Sequence, residues 1–320
     1  METNSSSDLL KKLTDLNPDI KYDYFGIEVN NLVFLTIDRN KFVSLLIRTE
    51  DRISYKMSTD LISLSLSESC TVTINNKPMA SRCHVMCCKT ASDEITKSFL
   101  ALCQAFAVQI NVTKNSNHVI EFFSNLTQLF KITPSMDLTL ERQGLWGELF
   151  VIQHSQRIKS FVTFWHNETN RKFDFSKENL RLEVKTTTNS NRIHIFSHNQ
   201  LYRNDQVQII IASIMLKYDD AGLSLRELIN DIRESLHGDI DLLYKLEKAV
   251  RKAGMLDQHE VGPTFDVSYA KDQLYWFNCR DVPRFNQFEP EGVSNTKYSV
   301  DITNSSRLSE EWVGEWLSAW

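Results

Sequence analysis

The chain has 320 residues, with 36 Lys and Arg against 41 Asp and Glu, a formal charge of −5, and 42% hydrophobic and 24% charged residues. That composition describes a globular protein long enough for two domains with apolar cores. The negative balance argues against strong nonspecific DNA affinity over the whole surface, and no apolar run approaches the roughly 20 residues of a membrane span. Met1 to Asp8 is polar and lacks the basic and apolar regions of a signal peptide, so a cytoplasmic location is expected.

After the polar start, Leu9, Leu10 and Leu13 mark a short helix to about residue 16. Strands are expected at Tyr24 to Val29, Leu32 to Asp38, Phe42 to Ile47, Thr71 to Ile74 and Cys83 to Cys88. Asn30-Asn31, Asp38-Arg39-Asn40 and Asn75-Asn76-Lys77-Pro78 are the turns. Ala91 to Ile110 reads as a helix capped by Ser92, with Phe99, Leu102, Cys103 and Phe106 on its buried stripe. The six cysteines form no dense disulfide framework. Cys83-His84-Val85-Met86-Cys87-Cys88 has no second ligand pair at zinc spacing, so reduced, buried thiols are expected. This β-rich region, residues 1–133, holds no catalytic constellation; a surface for DNA or protein and a packed scaffold fit it equally.

Residues 134–320 form the second expected domain. After Pro134 and a Ser135 cap, Leu138, Leu145, Leu149 and Ile152 recur at helical spacing. Glu141 and Glu148 share a face, and Glu148 sits among apolar neighbours where a lone carboxylate is costly. Gly144 and Gly147 each cost about 1 kcal/mol in a helix interior, which suggests close backbone approach. Phe173-Asp174-Phe175 and Leu180 to Thr186 then read as two strands joined by Ser176-Lys177-Glu178-Asn179. A period of two puts Glu183 and Lys185 on one sheet face, and the turn returns Glu183 to Asp174.

Two carboxylates on adjacent strands suit a hard cation such as Mg²⁺, with Mn²⁺ as a substitute, and leave positions for water and a phosphate oxygen. A lysine beside them orients or deprotonates water and neutralises phosphorane charge. An amphipathic hairpin with a solvated charged face gives the same pattern.

Further along, Ile193 to Phe196 is a strand, and the aliphatic Val207 to Leu216 suits the centre of a sheet. Ser197-His198-Asn199-Gln200 reads either as a capping box or as a polar contact from Gln200 near a metal or phosphate. Ser224-Leu225-Arg226-Glu227 is a capping box opening a helix to Leu236, and Ile240 to Ala253 is a second helix ended by Gly254. Strands are expected at Phe265 to Tyr269, Gln273 to Cys279 and Lys297 to Ile302, before a helix whose Trp312, Trp316 and Trp320 serve core packing. Arg171, Lys172, Arg192 and Arg203 are candidate DNA contacts, with Lys177, Arg181, Arg280 and Arg284 as further cations.

The order Gly144-Leu145-Trp146-Gly147-Glu148-Leu149, Phe173-Asp174-Phe175, Leu182-Glu183-Val184-Lys185-Thr186-Thr187 and Gln200-Leu201 resembles the PD-(D/E)XK nuclease superfamily. More narrowly it is similar to prokaryotic PD-(D/E)XK motif proteins found in restriction and phage-defence neighbourhoods. Phe173 stands at the nominal proline. The resemblance implies metal ligation by Asp174 and Glu183, a catalytic Lys185, an accessory helix carboxylate at Glu148 that joins the metal site, and accessory roles for Gln200 and Glu141. It implies a Mg²⁺-dependent DNA endonuclease, with DNA as substrate and partner proteins of a defence or restriction system. A noncatalytic nucleic-acid-binding or assembly subunit on the same fold is the competing class. No serine-histidine-acid order, metalloprotease spacing, phosphate loop or dinucleotide fingerprint occurs. The expected fold is α+β: a β-rich N-terminal domain, then a restriction-endonuclease-like α/β core with a mixed sheet flanked by helices. Oligomeric state is left open.

Overall fold

A computed structural model describes residues 5–16, 22–110, 116–130, 137–166, 172–202, 206–256 and 262–320. The chain divides into two units, Met1–Ser135 with Leu236–Glu260, and Met136–Ser235 with Val261–Trp320. Helices and strands are numbered in chain order.

The first unit opens with helix α1 (Ser6–Thr14), capped by the Ser5 hydroxyl, which accepts the Asp8 N–H. Strands β1 (Tyr24–Asn30), β2 (Val33–Asp38), β3 (Val43–Arg48), β4 (Tyr55–Ser58), β5 (Ile62–Ile74) and β6 (Lys77–Cys88) lie in the order β1-β2-β3-β6-β5-β4. The far half of β5 also pairs in parallel with β1, Tyr24 opposite Val72, which closes β1-β2-β3-β6-β5 into a ring. Phe34, Leu46, Cys70, Val72, Cys83 and Val85 form one apolar cluster within it. The six cysteines are free, and five of them are buried.

Helix α2 (Asp93–Gln109) starts at the expected Ser92 cap, with Asp93 and Glu94 in its first turn. Helix α3 (Ser116–Leu129), not read from the sequence, stacks Phe122 on Phe106 of α2 with centroids 4.1 Å apart. Helix α8 (Ile240–Lys252) groups with this unit, whereas the sequence reading set it in the second domain. Its buried face of Leu242, Leu243, Leu246 and Val250 contains Glu247, which accepts a 2.8 Å hydrogen bond from Ser98 of α2, and its Tyr244 meets Phe122 edge-on.

In the second unit, helices α4 (Thr139–His154) and α5 (Ile158–Phe164) precede the mixed sheet β13-β10-β8-β7. Its strands are β7 (Phe175–Lys177), β8 (Leu180–Thr187), β10 (Gln208–Met215) and β13 (Leu274–Asn278). β8 runs parallel to β10 and antiparallel to β7, so a hairpin and the central aliphatic strand form, but the turn is shorter than expected: Ser176 and Lys177 pair with Arg181 and Leu180, only Glu178-Asn179 turn, and Phe173 and Asp174 precede the strand. β8 is not solvated on one face: Leu182, Glu183 and Val184 are all buried. On one side α4 packs through Gly147, where an added Cβ would collide with Thr186 Cγ2 and meet Val184 and Ile214 at 3.5 and 3.7 Å. Gly144, by contrast, faces open space. The other side is covered by Phe196, Leu201, Val300 and Ile302. Two of these come from the two-stranded sheet of β9 (Ile193–Ser197) and β14 (Lys297–Asp301), and Leu201 from the turn of helix α6 (His198–Leu201).

Helix α7 (Leu225–Ser235) has the Ser224–Glu227 capping box. The strand expected over Phe265 to Tyr269 is a correction: β12 (Thr264–Phe265) ends after two residues because Asp266 caps helix α9 (Val267–Asp272), its carboxylate accepting the Tyr269 N–H. β12 pairs with β11 (Tyr218–Ser224). Helix α4 begins at Thr139, and Pro134 and Ser135 lie outside the described residues. The tryptophans of α10 (Glu310–Ser318) and its end pack as expected: Trp320 lies against Phe161 and Phe175, and Trp316 donates to Gln208. Among the described residues no helix is long and apolar enough to cross a membrane.

Candidate active site

Glu183 and Lys185 alternate on β8 and meet on one face, with Lys185 Nζ 2.7 Å from Glu183 Oε1. Asp174 occupies the bend immediately before β7, and β7 pairs Phe175 with Leu182, which brings Asp174 beside Glu183. One Asp174 carboxylate oxygen accepts the Val184 N–H at 2.7 Å, and its carbonyl accepts the His166 N–H. Burial raises the Asp174 carboxyl well above the usual range, and the charges of Glu183 and Glu148 push it further in that direction. The three residues read from the strand pattern are therefore brought together.

Glu183 is buried, and its two oxygens differ. Oε1 accepts from Lys185 and, at 2.7 Å, from Gln200 Nε2, while Oε2 is buried with no hydrogen-bond partner. Gln200 closes a capping box and also contacts Glu183. Its Oε1 accepts the Ser197 N–H and closes the capping box of α6, while its Nε2 serves Glu183 and the Lys172 carbonyl. Burial acts to lower the Lys185 pKa, but Glu183, Asp174 and Glu148 outweigh it and the net shift is upward. The ammonium also lies 5.2 Å from the Phe196 ring centroid.

Glu148 projects from α4, and its Oε2 accepts a 2.6 Å hydrogen bond from Trp165 Nε1. Its influence on Asp174 and Lys185 places it near the pair, yet among the described residues no three His, Cys, Asp or Glu side chains are grouped to hold a metal ion. Glu148 thus supplies negative potential at the pair and accepts from Trp165. Glu141, two turns earlier, is exposed.

The proposed cationic contacts divide. Lys172 is exposed, its ammonium 5.2 Å from the Phe173 ring centroid. Arg192 is a correction: it is 2% exposed, its guanidinium donating to Ser213 O and Oγ and to Gln273 O and Oε1, with Tyr275 4.1 Å away. Burial lowers its pKa to about 10, so it remains charged at neutral pH as an internal clamp. Arg171 and Arg203 lie outside the described residues. Lys177 is tied to the Ala319 carbonyl, and Arg181 to those of Glu178 and Leu180.

Sequence reasoning missed Gln143, which donates to Thr186 Oγ1 at 3.1 Å, and His194, which shares a 2.8 Å hydrogen bond with Ser213. Burial, with Lys185 and Arg192 nearby, pushes the His194 pKa down to about 3 and keeps its ring neutral. Period-two alternation in Ile193 to Phe196 put His194 on the face of Phe196, which was the available signal.

The donor set fits a hard divalent cation. Two adjoining carboxylates repel each other, one oxygen of Glu183 is buried and unsatisfied, and all the ligands on offer are oxygens. Asp174 and Glu183 would hold such an ion, with water and phosphate oxygens completing its shell.

A helix carboxylate, a hairpin aspartate and a Glu-x-Lys strand on a mixed sheet define the PD-(D/E)XK class. Residues 17–303 match the family described as "Putative PD-(D/E)XK family member, (DUF4420)", and the chain belongs to that family. No curated protein and no solved structure matches it.

Proposed function

We infer that the second unit is a divalent-cation-dependent DNA endonuclease that hydrolyses phosphodiester bonds. The observation that carries this reading is the convergence of Asp174, Glu183 and Lys185, with Glu183 Oε2 left buried and unsatisfied. A bound Mg²⁺ or Mn²⁺ supplies Lewis-acid polarisation of a phosphate oxygen and lowers the pKa of water.

The chain's own residues do the positioning. Gln200 and Lys185 both hold Glu183 Oε1, which fixes the carboxylate plane and leaves Oε2 for other use. The neighbouring carboxylates favour the charged form of Lys185, and as an ammonium it orients water and offsets charge on the phosphorane. Glu148 adds to the negative potential that keeps Lys185 charged. Exposed Lys172 offers a contact to the strand backbone. A place in restriction or phage defence is supported by the motif resemblance alone.

The absence of a three-acid group among the described residues favours a second reading, a noncatalytic nucleic-acid-binding or assembly subunit. Plasmid and single-stranded DNA incubated with purified protein in Mg²⁺, Mn²⁺ or EDTA decide between them. Nicking or linearisation that needs the metal and disappears in Asp174→Asn supports the endonuclease. Binding without cleavage in either metal supports the second reading.

A further inference from the structure

Strand β14 lies at an open edge of the second unit: among the described residues β9 is the strand it pairs with, and no other strand adjoins it. The direction of its backbone groups follows from the hydrogen bonds at the two ends of that pair. The His198 N–H donates to the Thr296 carbonyl at 2.7 Å, and the Ile302 N–H donates to the Arg192 carbonyl at 3.0 Å. Backbone groups alternate in direction along an antiparallel pair, so Thr296, Tyr298, Val300 and Ile302 turn theirs toward β9. Lys297, Ser299 and Asp301 therefore turn their N–H and C=O groups outward, where no described strand receives them. Their side chains are exposed as well, whereas Val300 is buried in the cluster that holds Phe196.

The charges along this edge are complementary to their own reverse. Lys297 opens the strand, Asp301 closes it, and Ser299 is the midpoint. An antiparallel copy of β14 centred on Ser299 sets Lys297 opposite the copy's Asp301 at both ends, with Ser299 facing Ser299. In that register the three outward residues fall at hydrogen-bonded positions, so every outward N–H of one copy meets a carbonyl of the other. Shifting the register by two residues sets Asp301 against Ser299 and separates the charges. The Asp301 carboxylate accepts the Thr303 N–H at 2.9 Å, which orients it, and Lys297 has no ion pair among the described residues. β14 also lacks the proline or bulge that commonly blocks an open edge.

We propose that the β14 edge binds a second copy of this chain, the two β14 strands pairing antiparallel about a twofold axis at Ser299 to give one continuous sheet, β9-β14-β14-β9. The self-complementary charge order selects a second copy over an unrelated extended segment, since opposite charges directly across an antiparallel pair attract and like charges repel. The contact is isologous, each copy offering the same edge. Five residues of edge bury little area, so the dimer is weak and depends on concentration. The inference stands apart from the endonuclease reading.

Sedimentation velocity of the full chain, from micromolar to submillimolar concentration, tests the pairing. The wild type should pass from monomer to dimer over that range, and added salt should weaken the association because the charge pairs are exposed. Ser299→Pro removes the central outward N–H and leaves the bonds to β9 in place, since proline is tolerated where an edge residue points its N–H to solvent. Its circular dichroism should match the wild type while the dimer is lost. Lys297→Glu and Asp301→Lys each set like charges face to face at both ends of the contact, so each alone should weaken association by about tenfold or more. Mixed in equal amounts the two variants should dimerise again: the substituted positions then face each other with opposite charge, and the native pair stands at the other end. If Asp301→Lys fails to fold for want of the Thr303 contact, Ser299→Pro and Lys297→Glu still decide the question. A wild type that stays monomeric throughout leaves the edge to an extended segment of another protein and overturns the proposal. A dimer that Ser299→Pro and the charge variants leave unchanged overturns it as well.

Discussion

Lys185 Nζ and Gln200 Nε2 converge on a single oxygen of Glu183, each at 2.7 Å. Both donors approach Oε1, so the carboxylate is oriented without being neutralised on its other side, and Oε2 stays buried and unpaired. An unsatisfied buried oxygen costs about 1–3 kcal/mol, a cost that a bound cation would relieve.

Lys185 separates chemistry from binding. Lys185→Met keeps most of the side-chain volume but removes the charge facing Glu183 and Asp174, so cleavage should fall by about 10²-fold or more, the scale for losing an electrostatic catalytic group. DNA affinity should fall far less, with the salt slope changing by about one unit at most. Cleavage and binding measured on one substrate check this: equal losses would reduce Lys185 to a phosphate anchor.

Arg192 should prove structural. Its four acceptors on Ser213 and Gln273 are satisfied by one planar fork, which lysine cannot reproduce. Arg192→Lys should therefore lower stability by about 3 kcal/mol or more, the scale for breaking a buried charged network. Chemical denaturation reads that loss. DNA affinity of the folded variant, measured at low temperature, should match the wild type; a selective affinity loss at full stability would return Arg192 to the DNA contacts.

The contrast between these residues shows what the sequence carried. Period-two alternation in Leu180 to Lys185 is local, so the spacing of Glu183 and Lys185 is enough to pair them on one face, and the turn at Glu178-Asn179, within the polar run read from the sequence, returns the chain so that Asp174 lies beside them. The capping role of Gln200 was legible from Ser197 three residues earlier, whereas an accessory role was implied only by the family resemblance. Burial is a tertiary property, which is why Arg192 resembled its solvated neighbours and why β8 proved covered on both faces. The closure of β1 on β5 joins Tyr24 to Val72, and the pairing of Glu148 with Trp165 crosses a loop; neither leaves a periodic trace. Phe265 to Tyr269 misled because Asp266, which caps α9, also fits a strand boundary.

The two glycines of α4 should respond in opposite directions. At Gly144 a methyl group meets nothing within 4 Å, so Gly144→Ala should stabilise by up to about 1 kcal/mol through helix propensity. At Gly147 the same methyl meets Thr186 Cγ2, so Gly147→Ala should destabilise by about 1–3 kcal/mol through overpacking. Thr186→Ser deletes that carbon and keeps the hydroxyl that Gln143 contacts, so the double variant should recover much of the loss. A double-mutant cycle by urea denaturation measures the coupling, and additivity would show that the helix contact lies elsewhere.

Asp174 sets the pH dependence of stability. Burial, then Glu183 and Glu148, raise its pKa in the folded state above the unfolded value of about 3.9. The folded protein then binds this proton more tightly, so the associated stability is present in full below the unfolded pKa and is lost as pH rises through the folded one. In EDTA the carboxylate charge therefore opposes folding increasingly as pH rises. Asp174→Asn removes that charge and retains an oxygen for the Val184 N–H, so it should melt above the wild type at pH 8, with the gap closing toward pH 4. Adding Mg²⁺ should reverse the order, because an ion that binds only the folded wild type raises its melting temperature and leaves the variant unmoved. Scanning calorimetry across pH, with and without Mg²⁺, reads both effects. A variant that melts at or below the wild type throughout in EDTA would show that Asp174 is already compensated in the folded protein, and an equal Mg²⁺ response in both proteins would place the cation away from Asp174.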